Sequence, residues 1–380
     1  MMVAETSTPK RPSVLTIRAF TADLIAGVQS FNRRLMANGV KYQFPEEPTP
    51  RWLPRQDGCH LFQEYFLAVD GESNVRGGYI LKRQDVSIHG VARGVAFYHL
   101  PLSEGLIDRR YAALGIRLLT DALKRQPLLY VLGIGSRQEP LARMLEALTW
   151  RLHTVPLFVR VLNGSRTAKQ LAYLRGSRIR RTALDIAAIS GAAFVGAKLL
   201  SRRAERLESS VSWNVQPEFG EPADVIWTAC QSRYPVIAVR DRATLDVLYP
   251  AGDARFIRVV VEQHGRPIGW ATLLATPMQD HKYFGNLRVG TIVDCLASPE
   301  HAQHVLIAAT HCLEDAGVDL IVSNQSSNAW TRGLARAGFL SAPSTFLFAA
   351  SKPFAALSGL HVTLGDHHLN RGDGDGPINL

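Results

Sequence analysis

The chain has 380 residues, of which 46% are hydrophobic and 20% charged, which gives room for two buried cores and excludes a disordered or collagen-like chain. The formal net charge of +10 is unevenly placed: residues 163–212 carry ten Lys or Arg against three Asp or Glu, so the rest is close to neutral and nucleic acid is not an expected partner. Cys59, Cys230, Cys295 and Cys312 form no CxxC pair and have no His at zinc-ligand spacing, so no metal is expected and a reducing compartment is the simpler setting.

Residues 1–12 are polar and lack the apolar core of a signal peptide, which points to the cytoplasm. Residues 13–18 alternate like an opening strand, and 21–38 place Leu24, Val28, Phe31 and Leu35 at helical spacing. Four prolines mark 45–58 as a loop. Strands are expected over 66–71, 77–88 and 95–100, then a turn over 101–108 and an amphipathic helix over 111–125. An apolar run at 128–132, a helix ending near Trp150 and a strand at 157–162 close the first half. The second half repeats the order. Helices are expected over 223–233 and 242–249, strands over 256–262, 268–275 and 289–296, and a helix over 301–315. A strand at 318–322, a helix ending at Phe339 and a strand at 345–350 follow.

The repetition is visible in the residues themselves. Segments 129–150 and 318–339 lie 189 residues apart and align without a gap. Arg143 meets Arg332, Leu145 meets Leu334, and Trp150 meets Phe339. A period of this length means duplicated domains rather than a solenoid. Strands alternating with helices, with hairpin-like pairs early in each half, imply a mixed α/β sheet covered on both faces. The expected organisation is an N-terminal domain at 13–162, a basic helical connector at 163–212, a C-terminal domain at 213–358 and a polar tail at 359–380.

The connector holds a mostly apolar stretch, 183–200, interrupted by Asp185, Ser190 and Lys198. It reads as a helix packed between domains, an amphipathic helix on an anionic membrane surface with Arg175, Arg178, Arg180, Arg181, Arg202 and Arg203 as basic flanks, or a short membrane span. The tail motif Asp373-x-Asp375-Gly376 resembles the start of a calcium loop, but the sequence ends at Leu380, before the Glu such a loop needs. The tail is otherwise a flexible polar end, or a segment that folds back and supplies Asp and His to a site.

Taken together, the elements resemble two copies of the GNAT (Gcn5-related N-acetyltransferase) fold, over 13–162 and 213–352. The family follows its fourth strand with a Gln/Arg-x-x-Gly-x-Gly/Ala loop at a helix start, which cradles the pyrophosphate of acyl-CoA. Free N–H groups and the helix dipole favour an anion there. The first half offers Arg109-Arg110-Tyr111-Ala112-Ala113-Leu114-Gly115-Ile116-Arg117, which keeps Gly115 only, with Ala112 at the Gln/Arg position and Arg117 at the last small position. The second half offers Pro299-Glu300-His301-Ala302-Gln303-His304-Val305 and keeps none. The resemblance therefore implies cofactor binding by Leu114, Gly115, Ile116 and Arg117, with acetyl-CoA or another acyl-CoA as co-substrate. It also implies a strand acid as general base. Asp294 within Val293-Asp294-Cys295-Leu296 takes that place, and a shift of 190 residues makes Glu104 its counterpart. Leu145 and Leu334 stand where the family has a Tyr general acid, so a proton for the leaving thiolate has to come from elsewhere, with Tyr283, His281 and the tail histidines as candidates.

The tail from Gly365 to Pro377 and the stretch Trp150…Val155-Pro156-Leu157-Phe158-Val159-Arg160-Val161 also resemble tandem acyltransferase-like proteins of bacterial polysaccharide clusters. The expected activity is acyl-CoA-dependent N- or O-acylation of a small molecule, sugar or cell-envelope precursor, in the cytoplasm, with peripheral contact to an anionic membrane through 163–212. Two alternatives stand beside it: a FemABX-like transferase using aminoacyl-tRNA, and a non-catalytic GNAT-like binding protein.

Overall fold

The computed structural model describes residues 15–170, 206–360 and 363–375. Most of the basic connector, including 183–200, lies outside them. The chain forms two compact units, Met1–Arg83 with Ala96–Leu129, and Gln84–Val95 with Tyr130–Leu380.

In the first unit, β1 (Thr16–Ala19) pairs antiparallel with β2 (Phe62–Val69), and β2 with β3 (Val75–Ile88). The strand order runs β1-β2-β3-β4, where β4 is Val91–Ser103; β3 up to Arg83 and β4 from Ala96 on belong to this unit. Helix α1 (Ile25–Ala37) buries Val28, Phe31 and Leu35, spaced to fall on one face. They join Phe20, Leu24, Phe44, Tyr65, Leu67 and Leu102 in one core. Buried Asn32 ties the long loop to this helix, donating to the Phe44 carbonyl at 2.8 Å and accepting from its N–H at 2.9 Å. Helix α2 (Leu114–Arg125) buries Leu114, Leu118, Leu119 and Ala122. It lies so close to β3 at Gly77 that a Cβ there would stand 2.8 Å from the Leu102 carbonyl and 3.2 Å from Leu114.

The second unit holds β5 (Leu129–Leu132, from Tyr130 on), α3 (Pro140–Ala147), β6 (Leu152–Thr154), β7 (Leu157–Val161), α4 (Gly164–Gln170) and β8 (Val211–Gln216). Then come α5 (Glu221–Cys230), β9 (Val236–Ala238), α6 (Arg242–Leu248), β10 (Ile257–Gln263), β11 (Arg266–Pro277) and β12 (Arg288–Ala297). Helix α7 (Ala302–Asp315), β13 (Leu320–Asn324), α8 (Asn328–Arg336), β14 (Leu340–Ala342), β15 (Leu347–Ala350) and α9 (Lys352–Ser358) complete it. A seven-stranded sheet runs β14-β7-β13-β12-β11-β10-β8, parallel only between β12 and β13. Helix α7 is buried on nearly every side, which explains its apolar run Val305–Ala309. Its first turn sits against Gly269 of β11, where a Cβ would lie 2.4 Å from Val305. The same glycine-to-helix packing thus recurs in the two halves. Gly269→Val is expected to cost about 1–3 kcal/mol by overpacking, seen as a lower urea midpoint; an unchanged midpoint would show that α7 is not seated there.

The repeat read from the sequence is present as β5-α3-β6-β7 and β13-α8-β14-β15. Its closing strands are exchanged. Strand β15, from the second half, pairs antiparallel with β5 and β6 of the first. Strand β7, from the first half, pairs antiparallel with β13 and β14 of the second. Each half therefore lends its last strand to the other's sheet.

Candidate functional site

The Leu114–Arg117 segment forms the first turn of α2. Ala113 stands at its N-cap and, among the described residues, makes no side-chain cap hydrogen bond to the leading N–H groups. Leu114 is buried against β3, while Ile116 is 47% exposed. The Arg117 side chain turns back to the Leu15 carbonyl at 2.9 Å. Just upstream, Asp108 caps a 3₁₀ turn over Arg109–Tyr111 and ties down Arg110. The segment is an exposed helix start with arginines around it.

Glu104 belongs to the same unit. It follows β4 rather than lying inside it, in a 3₁₀ turn whose cap is Ser103. Its carboxylate is buried and pairs with Arg34 Nε at 2.7 Å and Arg76 Nη1 at 3.0 Å. Arg76 also holds Asp70 at 2.9 Å. Burial pushes the Arg76 guanidinium down, but Glu104 and Asp70 outweigh it and raise it. Glu104 is thus the centre of a small alternating ion-pair chain at one end of the sheet.

Asp294 lies inside β12, in the second unit, and is wholly enclosed. Its Oδ2 accepts Arg240 Nε at 2.7 Å and the Tyr249 hydroxyl at 2.8 Å. Its Oδ1 accepts Asn370 Nδ2 at 2.7 Å and the Cys295 N–H at 2.9 Å. Arg240 reaches on with Nη2 to Asp373 at 2.7 Å, so one guanidinium bridges two buried carboxylates. Burial works against the charge on Arg240, but Asp294 and Asp373 outweigh it and hold it well above the usual arginine value. Burial, with Asp294 second, drives the Tyr249 phenol upward, so it stays a donor.

The two candidate acids therefore sit in separate networks and at different places relative to their strands. The sequence does not show Arg240, Tyr249 or Asn370 as partners of Asp294, nor Asp373 as the second carboxylate on Arg240. The one available signal was that an acid within an apolar strand needs a cation. Segment 363–375 folds back, as one of the readings of the tail anticipated. His368 packs on the rings of Tyr234 and Trp330 at 4.9 and 5.5 Å. Tyr283 stands 56% exposed on the loop after β11, near His281. An open groove of about 420 Å³, lined by Trp150, Arg151, Ala350 and Lys352 among others, contains none of the predicted site residues.

Burial holds the His368 imidazole below its ordinary value, and His367 likewise. The unfolded chain therefore binds more protons, and stability falls as pH drops through about 6.5. The urea midpoint is expected to decrease between pH 7.5 and 5.5, with a shallower slope in His368→Gln. An equal slope in that variant would exclude this source.

No family model matches the sequence, and no curated protein matches it. Solved structures do match in fold. A conserved Enterococcus faecalis protein described as a probable N-acyltransferase superposes with a TM-score of 0.51 at 8% identity, over 91% of this chain and 74% of that one. The GCN5-related glucosamine N-acetyltransferase region of a fungal multi-domain GH3 β-N-acetylglucosaminidase gives 0.52 at 12%, over 92% of this chain and 39% of that one. Saccharomyces cerevisiae N-myristoyltransferase with bound myristoyl-CoA gives 0.50 at 10%, over 92% and 80%. The chain thus has a GNAT-like α/β fold, and the likeness runs through both halves. Among the described residues, no helix is long and apolar enough to cross a membrane.

Proposed function

We propose that the protein transfers an acyl group from an acyl-CoA to an amine or hydroxyl acceptor. The observation that carries this reading is the likeness to acyltransferases over more than 90% of the chain. The co-substrate's pyrophosphate is assigned to Leu114, Gly115, Ile116 and Arg117, where uncapped N–H groups and the dipole of α2 meet the arginines at 109 and 110. In the reaction the acceptor's N or O bonds to the thioester carbon, the C–S bond breaks, and the acceptor proton passes to the departing thiolate. Most of the acceleration comes from holding the two reactants together. Glu104, in the same unit as the loop, is the candidate base; Arg34 and Arg76 hold both its oxygens, so its assignment requires one of them to let go. Asp294 has every carboxylate lone pair engaged while the tail is docked, so its assignment as base requires the tail to leave. The acceptor we favour is a sugar or cell-envelope precursor, in keeping with the sequence resemblance.

Calorimetry with acetyl-CoA and longer acyl-CoAs tests the reading, and absence of binding to any of them removes it. Gly115→Asp is expected to weaken binding at least 10-fold, because a carboxylate at a helix start repels the diphosphate. Unchanged affinity would move the site elsewhere. A non-catalytic binding protein is favoured by the engagement of both acids in ion pairs; binding without turnover across amine and hydroxyl acceptors would support that reading. Donor activity with aminoacyl-tRNA would point to the FemABX-like one.

A further inference from the structure

Strands β12 and β13 run parallel only from Val289–Ile292 against Leu320–Ser323. Beyond that register β12 continues to Ala297, while β13 stops at Asn324. Two parallel strands that part in this way leave backbone groups and an opening between them. Here the opening is filled by the chain's own segment 367–373. On the β13 side, Gln325 pairs with Asn370 in an antiparallel bridge, the Ser326 N–H donates to the Leu369 carbonyl at 3.0 Å, and the Ser326 hydroxyl donates to the His367 carbonyl at 2.6 Å. Arg371 reaches Asn324 Oδ1 at 3.1 Å. On the β12 side, Asn370 donates to Asp294. Along its other edge the segment pairs in parallel with β9, where the His368 N–H donates to the Val236 carbonyl at 2.9 Å. It ends in a capped 3₁₀ turn in which Asn370 and Asp373 satisfy each other's backbone.

The fit is close at Gly372. A Cβ on Gly372 would lie 2.5 Å from Asp294 Oδ2 and 2.6 Å from the Tyr249 hydroxyl. Only glycine lets the backbone pass between them. Asp373 then supplies the second carboxylate for Arg240, and its carbonyl accepts the Tyr130 hydroxyl. A loosely held polar end would show neither a sterically required glycine nor a buried ion pair.

We propose that residues 367–373 are a built-in strap that occupies the opening between β12 and β13, with Asp294 as its anchor rather than as a base. The strap closes the second half to a co-substrate, so the chain carries one acyl-CoA site, in the first half. This second statement rests on the acyltransferase reading; the first does not.

Hydrogen exchange on the full chain tests the strap whatever the activity. The amides of Leu369, Asn370, Gly372 and Asp373 are expected to exchange as slowly as those of β13, and about 100-fold faster in Gly372→Leu, with β1 and β2 unchanged. Asn370→Ala, which adds no bulk, is expected to accelerate the same amides. Fast exchange of this segment in the unaltered protein overturns the proposal. Acetyl-CoA titration is expected to give one equivalent. Two equivalents, or a photoreactive acyl-CoA attaching to β12 in the unaltered protein, overturn closure of the second half. If no acyl-CoA binds at all, the functional reading fails while the exchange result still decides the strap.

Discussion

Arg240→Met is expected to destabilise the second unit by about 3–5 kcal/mol, the range found when one partner of a buried ion pair is removed. The side chain is 3% exposed, and both carboxylates it serves are at 1% or below. Without the guanidinium, Asp294 and Asp373 are two buried carboxylates with no cation between them, and Asp294 keeps only the neutral donors Tyr249, Asn370 and the Cys295 N–H. Both must then be protonated or the strap must leave. Two signatures separate this from ordinary core damage. The loss should be smaller at pH 5 than at pH 8, because protonation relieves the unpaired acids, and Asp294→Asn with Asp373→Asn in the Met background should recover part of it. Urea unfolding at the two pH values checks both. A loss under about 1 kcal/mol would mean the triad behaves like a solvent-exposed pair and is not formed as described.

Arg240 also shows where sequence reasoning ran out. The elements with strong periodicity were legible: the helices at 21–38, 111–125 and 301–315 and the strands at 77–88 and 256–262 lie within a few residues of α1 with its preceding turn, α2, α7, β3 and β10. Their core faces are fixed by local spacing. The short strands β6, β8, β9 and β14 were not legible, because three to six residues carry little pattern and their pairing is decided by distant partners. The connector helix expected at 183–200 lies outside the described residues. Asp294 stands out in the sequence as an acid within an apolar strand, yet two of its partners, Arg240 and Asn370, lie 54 and 76 positions away. No local spacing encodes such a contact. Glu104 was placed opposite Asp294 by a constant shift, whereas the structure puts it past the end of β4 and Asp294 inside β12. Small differences in strand length between the halves break the constant shift.

The duplicated segments were the clearest statement in the sequence, and their exchanged strands give the second large prediction. Phe348 on β15 is fully buried, pairs in register with Leu132 and His153, and lies 5.9 Å from the Tyr130 ring. Phe348→Ala leaves a cavity and is expected to cost about 3–5 kcal/mol. The location of the damage is the informative part. Although Phe348 belongs to the second half of the sequence, hydrogen exchange should accelerate first at Tyr130–Leu132 and Leu152–Thr154, which belong to the first. Phe158→Ala on β7 should do the reverse and loosen β13 and β14. If each substitution instead loosened only its own half, the closing strands would not be exchanged in solution. If the crossed pattern holds, cutting the chain in the connector would leave each piece without the last strand of its sheet. Neither piece could then bury its repeat alone, because an open sheet edge with an apolar face needs its partner strand. The duplication would then have become obligatory: two similar segments, each completed only by the other.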